Sequence, residues 1–410
     1  MNSVLTRQLA LRYLRGKRTA NIVPILSRIS MTAIAVASAA MIILFSVLNG
    51  FTDLVSDLYK AFYPEIKITA TRGKFFSLDA QQMASVRSIE GVSGITTVLE
   101  DNVLLTGNDE TKVAMLKGID QNYLKVNEVK PYVIEGTDSV SLSPAPTALM
   151  GLQLANEMGL DITNAFSTLV LHYPNAKSSN LALNPTSAFQ TLQLKPDGVF
   201  QVQDEFDSKY ILAPLPLVQE LMQTDGQYSS VELKLAANTS ADRVQRELSE
   251  KLGKNFTVAT RFEQNKTLYM VMKSEKWAVF AILVLVLLIA SFNMVGALTM
   301  LVLEKQKDMS ILKAMGAEPS TVRNIFLAEG VLWALTGGVI GLFVGALISM
   351  GQKHFQWIKM QGNFIIEAYP VSLEWWDFVL ILGTILLVGL AAAWYPAYKA
   401  QKAQVHLRSN

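Results

Sequence analysis

Four long apolar runs constrain this 410-residue chain more than any other feature. A hydrocarbon core of about 30 Å takes roughly 20 apolar residues in a helix rising 1.5 Å each. Residues 29–51, 277–303, 325–350 and 378–395 meet or approach that length, at 23, 27, 26 and 18 residues. They predict an α-helical membrane protein with four transmembrane helices. Ala37-Ser38-Ala39 mimics a signal-peptide cleavage site, but 28 residues precede the first run and Met41-Ile42-Ile43-Leu44-Phe45 continues it, so it reads as a retained span.

The formal charge, 36 Lys+Arg against 34 Asp+Glu, divides unevenly along the chain. Residues 1–28 carry Arg7, Arg12, Arg15, Lys17, Arg18 and Arg28 with no acid. The link 304–324 carries Lys305, Lys307, Lys313 and Arg323 against Glu304, Asp308 and Glu318, and the tail after Pro396 carries Lys399, Lys402 and Arg408. These segments hold 13 of the 36 bases and 3 of the 34 acids, a net of +10, leaving 23 bases and 31 acids, a net of −8. Because Lys and Arg near span ends stay on the cytoplasmic side, both termini and the link are expected to be cytoplasmic. The expected order is a cytoplasmic segment 1–28, spans at 29–51 and 277–303 flanking an outward domain 52–276, a coupling link 304–324, a span 325–350, an outward loop 351–377, a span 378–395 and a cytoplasmic tail 396–410. Trp277, Trp375 and Trp376, with Trp394 and Tyr395 opposite, fit aromatic belts at the two interfaces.

The domain 52–276 is large enough to bury a core and reads as α+β. Glu65-Ile66-Lys67-Ile68-Thr69-Ala70 alternates with period two, as do residues 113–116 and 230–235. Asp79 precedes a helical pattern, and Ser240 precedes another that sets Val244 and Leu248 on one face. Residues 139–147 and 175–187 read as surface loops. With 17% charged and 50% apolar residues the chain is neither disordered nor built for nucleic acid. It has no cysteine, which excludes disulfides, thiolate chemistry and Cys-ligated metals, and His172, His354 and His406 are far apart. No Gly-x-Ser-x-Gly elbow, His-Glu-x-x-His pair or Walker loop occurs, and Asp204-Glu205 with Asp207 reads as a solvated loop. A non-catalytic chain is expected, with no metal or cofactor of its own.

In the link, Ile311, Leu312 and Met315 stand at helical spacing beside charges, Gly316 fits a C-terminal cap and Pro319 stops simple continuation. Such a helix admits two readings, a rest on the lipid surface or a docking peg for a cytoplasmic partner. The third span carries Gly337, Gly341, Gly345 and Ser349 every four residues, a seam for close packing within the subunit or against a second one. Glu329 near the start of that span reads as a structural acid paired with Arg323 or Lys313, with a functional intramembrane acid as the other reading.

The run Glu304-Lys305-Gln306-Lys307-Asp308-Met309-Ser310-Ile311-Leu312-Lys313-Ala314-Met315-Gly316-Ala317, followed by Ile325-Phe326 and Glu329-Gly330, resembles the signature of MacB/FtsX superfamily ABC-transporter permeases. The resemblance is closer still to the lipoprotein-releasing LolC/LolE family. Leu11-Arg12-Tyr13-Leu14-Arg15-Gly16, Ser46-Val47-Leu48-Asn49-Gly50-Phe51, Ala148-Leu149-Met150-Gly151 and Gly198-Val199-Phe200 with Phe206-Asp207 extend it nearly end to end. The chain departs from the family at Asp161-Ile162-Thr163-Asn164, Arg261-Phe262 and Ala403-Gln404, differences that bear on the periplasmic partner rather than on coupling.

This resemblance implies a periplasmic domain between the first two spans and a permease subunit in the bacterial inner membrane. ATP and Mg would sit on a separate cytoplasmic ABC ATPase homodimer. It implies that Glu304, Lys305, Ile311, Leu312, Lys313, Met315 and Gly316 couple to that ATPase, and that the chain pairs with a second permease, itself or a homologue. ATP hydrolysis would drive extraction of acylated lipoproteins by mechanotransmission and their transfer to a periplasmic carrier; Met41, Phe45 and Leu48 are the expected lipoprotein contacts. An FtsX-like permease that activates a cell-wall hydrolase and a MacB-like exporter are the alternatives. The match at residues 198–207 disfavours the first, and the missing fused ATPase disfavours the second.

Overall fold

The computed structural model describes residues 22–107, 110–143, 145–160, 164, 167–175, 188–360 and 368–402. The basic segment through residue 21, residues 161–163, residues 176–187 and the tail from residue 403 lie outside the described residues. The chain divides into two compact units, Val55–Tyr269 and Met1–Leu54 with Met270–Asn410.

In chain order, α1 (Ile22–Tyr59) leads into β1 (Ile66–Ala70), α2 (Ala80–Arg87), β2 (Val92–Gly107), β3 (Glu110–Ile119), α3 (Tyr123–Val126), β4 (Val133–Gly136), β5 (Thr147–Gly151) and α4 (Leu152–Glu157). Then follow β6 (Leu169–Pro174), β7 (Phe189–Phe200), α5 (Asp204–Asp207), β8 (Tyr210–Pro214), α6 (Leu215–Met222), β9 (Ser230–Leu235), α7 (Ala241–Leu252), β10 (Phe256–Thr260) and α8 (Arg261–Gln264). The chain ends with α9 (Lys266–Glu304), α10 (Gln306–Ala314), α11 (Pro319–Phe355) and α12 (Trp375–Lys402).

The α+β unit is built on β10-β1-β9-β2, an antiparallel sheet. With α2 before β2 and α7 before β10, this is the βαββαβ order of a ferredoxin-like fold. Strand alternation sends Ile66, Ile68, Val231 and Leu233 to the face covered by Val86, Val244 and Leu248. Asp79 closes a capping box with Gln82, and the Ser240 hydroxyl accepts from the Arg243 amide, so both helices start where their cap residues stand. Everything from β3 to β8 is inserted between β2 and β9. Within that insertion β2-β3-β8-β5-β7-β6 pairs back onto β2, closing a ring around Leu105, Leu116, Met150, Leu171, Leu194 and Ile211. Closure leaves those strands without an open edge.

In the other unit, α1, α9, α11 and α12 are 38, 39, 37 and 28 residues long, and all four are long and apolar enough to cross a membrane. Each outruns the apolar run that announces it, and α12 continues through Pro396 to Lys402. Met41, Ile42 and Phe45 of α1 pack with Leu287 and Met294 of α9, Phe326 and Trp333 of α11, and Ile381 and Ile385 of α12. Ile282, Leu285, Ile289 and Phe292 of α9 are exposed, as an apolar surface bathed by lipid tails allows.

Candidate functional site

The link between α9 and α11 folds as the short helix α10. Lys305 and Asp308 pair at 3.1 Å across its first turn. At its end Gly316 adopts φ +87°, a left-handed value that glycine takes without strain, and the Ala317 amide reaches back to the Leu312 carbonyl. Pro319 then opens α11 at a position where its missing amide hydrogen costs nothing. The apolar face expected from Ile311, Leu312 and Met315 is divided. Met309, which the sequence reading passed over, is the residue buried in the helix core, and half-buried Leu312 lies one turn on. Ile311 and Met315 point to solvent at 59% and 79% exposure, one turn apart, and Lys313 Nζ donates to the Gln401 carbonyl of α12 at 3.2 Å. A helix pinned on one side and showing an isoleucine and a methionine on the other is suited to receive a partner. Glu304 ends α9 beside it.

The small-residue stripe of α11 lies against α1. A methyl group on Gly341 would overlap the Ser38 hydroxyl and the Ala35 carbonyl, and Gly337 and Gly345 face Met31 and Ala39 in the same way. The stripe ends with Ser349 and Ser46 sharing a hydrogen bond at 2.8 Å. Of the two open readings, the geometry is a seam within the subunit. Glu329 differs from expectation. Among the described residues it forms no ion pair with Arg323 or Lys313; it is buried and accepts a hydrogen bond from Trp333 Nε1 at 3.1 Å.

The expected lipoprotein contacts also change. Met41 and Phe45 are fully buried and Leu48 is half-buried, because this face of α1 packs into the bundle rather than onto lipid. Met41 is therefore a core residue. Phe45 is a wall of a groove of about 520 Å³ shared with Lys276, Trp277, Phe280, Trp376 and Leu380. Beside Phe45, the side chains of Asn49, Lys276 and Asp377 meet at 2.6–2.9 Å, an arrangement no sequence signal announced.

Within the α+β unit the ends of the long helices are gripped by aromatic rings. Tyr59 stacks on Tyr63 with centroids 5.3 Å apart and donates to Glu205 at 2.8 Å, while Phe62 stacks on Phe206 at 4.6 Å. Arg261 Nε donates to the Tyr63 carbonyl at 2.8 Å, and Leu268 packs on the same cluster. Beneath these rings Lys117 is 2% exposed between Glu232 at 3.3 Å and Glu100 at 3.5 Å. Burial alone would lower the Lys117 pKa, but Glu232, Tyr123 and Glu100 hold it well above its usual value. Burial pushes the Glu100 pKa up, and Lys117 and Lys67 outweigh that and bring it below the ordinary carboxylate value. The acidic stretch 204–207 folds as α5 rather than as a loop, with Asp204 and Glu205 exposed as expected. Asp207 is buried, accepts from the Val202 amide at 2.8 Å, and burial raises its pKa to about 6.

Residues 280–405 match the FtsX-like permease C-terminal family. The chain therefore carries an FtsX-like permease domain together with four helices long and apolar enough to cross a membrane, the features of a multi-pass membrane protein. Over its whole length the chain is homologous to two transmembrane proteins of lipoprotein-releasing systems. It is 25% identical over 416 residues to LolC of Xylella fastidiosa strain 9a5c, covering 98% of each chain. It is 25% identical over 409 residues to LolE of Haemophilus influenzae, covering 96% of each. Among solved structures, the periplasmic region of MacB from Actinobacillus actinomycetemcomitans aligns at 12% identity and a TM-score of 0.37, over 53% of this chain and 98% of that one.

Proposed function

We propose that this chain is the permease subunit of an ABC transporter that extracts acylated lipoproteins from the bacterial inner membrane and passes them to a periplasmic carrier. The observation that carries this reading is the end-to-end similarity to LolC and LolE, which includes the α+β unit as well as the permease domain. The charge split supports an orientation with both termini and α10 in the cytoplasm and the α+β unit in the periplasm.

In this mechanism the chain forms no covalent bond with its cargo. ATP and Mg are held by a cytoplasmic ATPase homodimer, whose closure displaces α10. Ile311 and Met315 enter the ATPase surface, and Glu304, Lys305, Leu312, Lys313 and Gly316 fix the helix that carries them. Tyr59 at the end of α1 and Leu268 near the start of α9 both pack into the aromatic cluster of the α+β unit, so each of the two helices has an anchor there. A second permease subunit, a copy or a homologue, completes the assembly. The lipid-anchored segment is held at the groove over Phe45. Exposing acyl chains to water costs about 0.8 kcal/mol per methylene, so extraction needs both an energy source and a sheltered transfer.

The test is mass spectrometry of complexes isolated in mild detergent. Two copies of an ABC ATPase and an acylated protein are expected to co-purify. A cell-wall hydrolase with no acylated protein would replace this reading with a signalling permease.

A further inference from the structure

Asn49, Lys276 and Asp377 come from three different helices, α1, α9 and α12, and meet beside the groove over Phe45. Lys276 Nζ donates to Asp377 Oδ1 at 2.9 Å and to Asn49 Oδ1 at 2.8 Å, and Asn49 Nδ2 donates to Asp377 Oδ2 at 2.6 Å. The three side chains thus close a ring in which one positive and one negative charge cancel and the amide serves both. Asn49 Nδ2 also lies 3.4 Å from the Ser372 carbonyl, and the Ser372 amide donates to the Ser46 carbonyl at 2.8 Å, so the lead-in to α12 is tied to α1 independently of α9.

The attachment of α9 is different. Lys276 bridges the outward half of α9 to α1 and to α12 through its side chain. Its ammonium also stands over the Phe45 ring at 5.3 Å, and Phe280 meets Phe45 at 6.0 Å. The neighbouring Trp277, Ile282 and Leu285 are exposed. In lipid, apolar area gives helices little reason to associate, so a charged hydrogen-bonded contact has a large share in deciding where this half of α9 lies.

Lys276 also has a second acceptor within reach. Glu374 Oε2 is 3.5 Å away on the open side of the groove, with its side chain 49% exposed against 5% for Asp377. If the ammonium transfers to Glu374, Asp377 keeps the Asn49 amide, so no carboxylate is left buried without a partner. Both acceptors already lie within ion-pair distance of the same ammonium, the inner one closer, so Lys276 can be drawn toward either.

We propose that Asn49, Lys276 and Asp377 form a releasable latch that holds the N-terminal half of α9 against α1 and α12 and keeps the groove narrow, and that entry of an acyl chain moves Lys276 from Asp377 to Glu374. The ligand rests on the lipoprotein reading above; the latch rests on geometry alone.

The chain has no cysteine, so a spin-label pair at Glu275→Cys and Trp375→Cys reports α9 against α12 without background. In nanodiscs holding the full chain, Lys276→Met is expected to lengthen the main distance, and Lys276→Asp with Asp377→Lys to restore it. A synthetic triacylated lipopeptide is expected to lengthen the unsubstituted distance but not that of Lys276→Met. Glu374→Gln, on the exposed side, keeps the resting distance and loses most of the lipopeptide shift. An unchanged distance in Lys276→Met overturns the latch, and a full lipopeptide shift in Glu374→Gln overturns the transfer. A lipopeptide that does not bind overturns the cargo reading and the entry step with it, while Lys276→Met still decides whether the latch exists.

Discussion

Each unit of the molecule contains a lysine between two carboxylates, in different surroundings. Lys117 of the α+β unit is enclosed, with its Glu232 partner fully buried and Glu100 mostly so. Lys276 of the membrane unit is 31% exposed beside a groove, with one buried partner and one open to solvent. An enclosed charge network has one satisfactory arrangement, because any departure strands a charge at low dielectric. A network with an exposed alternative has two. The enclosed network thus favours a rigid α+β unit, and the proposed latch gives the membrane helices a second arrangement.

The largest effect expected from breaking this contrast follows Lys117→Met. It leaves Glu100 and Glu232 buried without a cation, and the α+β unit should lose about 3–5 kcal/mol. Hydrogen exchange of the β3 and β9 amides in the full chain should accelerate throughout both strands; protection equal to the parent would mean the network is not a rigidifying element.

A smaller effect is expected at the seam. Gly341→Leu drives a side chain into Ser38 and Ala35 and should cost about 1–3 kcal/mol in detergent unfolding, whereas Gly383→Leu, where nothing lies within 4 Å, should cost almost nothing. Equal losses at both sites would contradict the seam. Asp79→Ala removes one cap of a short helix and should cost about 1 kcal/mol, read as a lower thermal midpoint of the α+β unit.

The smallest expected effect is on pH dependence. The folded-state pKa of Asp207 is raised, to about 6, so its protonated form is favoured by folding. Its contribution to stability is present below the ordinary carboxylate pKa and is lost as pH rises through about 6. Asp207→Asn should flatten the stability of the α+β unit across that window, and an unchanged slope would show that the burial is not felt.

Much of the architecture was legible in residue order because it depends on local chemistry. Apolar run length announced the four spans, Asp79 and Ser240 marked helix starts, and period-two alternation exposed β1 and β9. Gly316 and Pro319 bracketed the end of α10 for the same reason. The site was less legible, since its contacts join residues distant in sequence. Nothing near Lys276 points to Asn49 or Asp377, and nothing near Lys117 points to Glu232. Helical spacing identified Ile311, Leu312 and Met315 as apolar but not which of them would face the bundle; the position of α12 decided that by taking Lys313 and leaving Met315 exposed. Burial of Met41 and Phe45 in the bundle was not legible, because an apolar residue in a span reads the same whether it faces lipid or a neighbouring helix.

In the proposed function, movement begun at α10 extracts a lipid-anchored protein. The direct measurement is release of a radiolabelled lipoprotein from proteoliposomes that hold this permease, its partner subunit and its ATPase, with a periplasmic carrier outside. The account predicts ATP-dependent release that falls to the level of an ATPase-dead complex when Met315→Arg is introduced, with membrane insertion unchanged. Release that never exceeds the ATPase-dead level with the parent chain, or that persists in full with Met315→Arg, would contradict it.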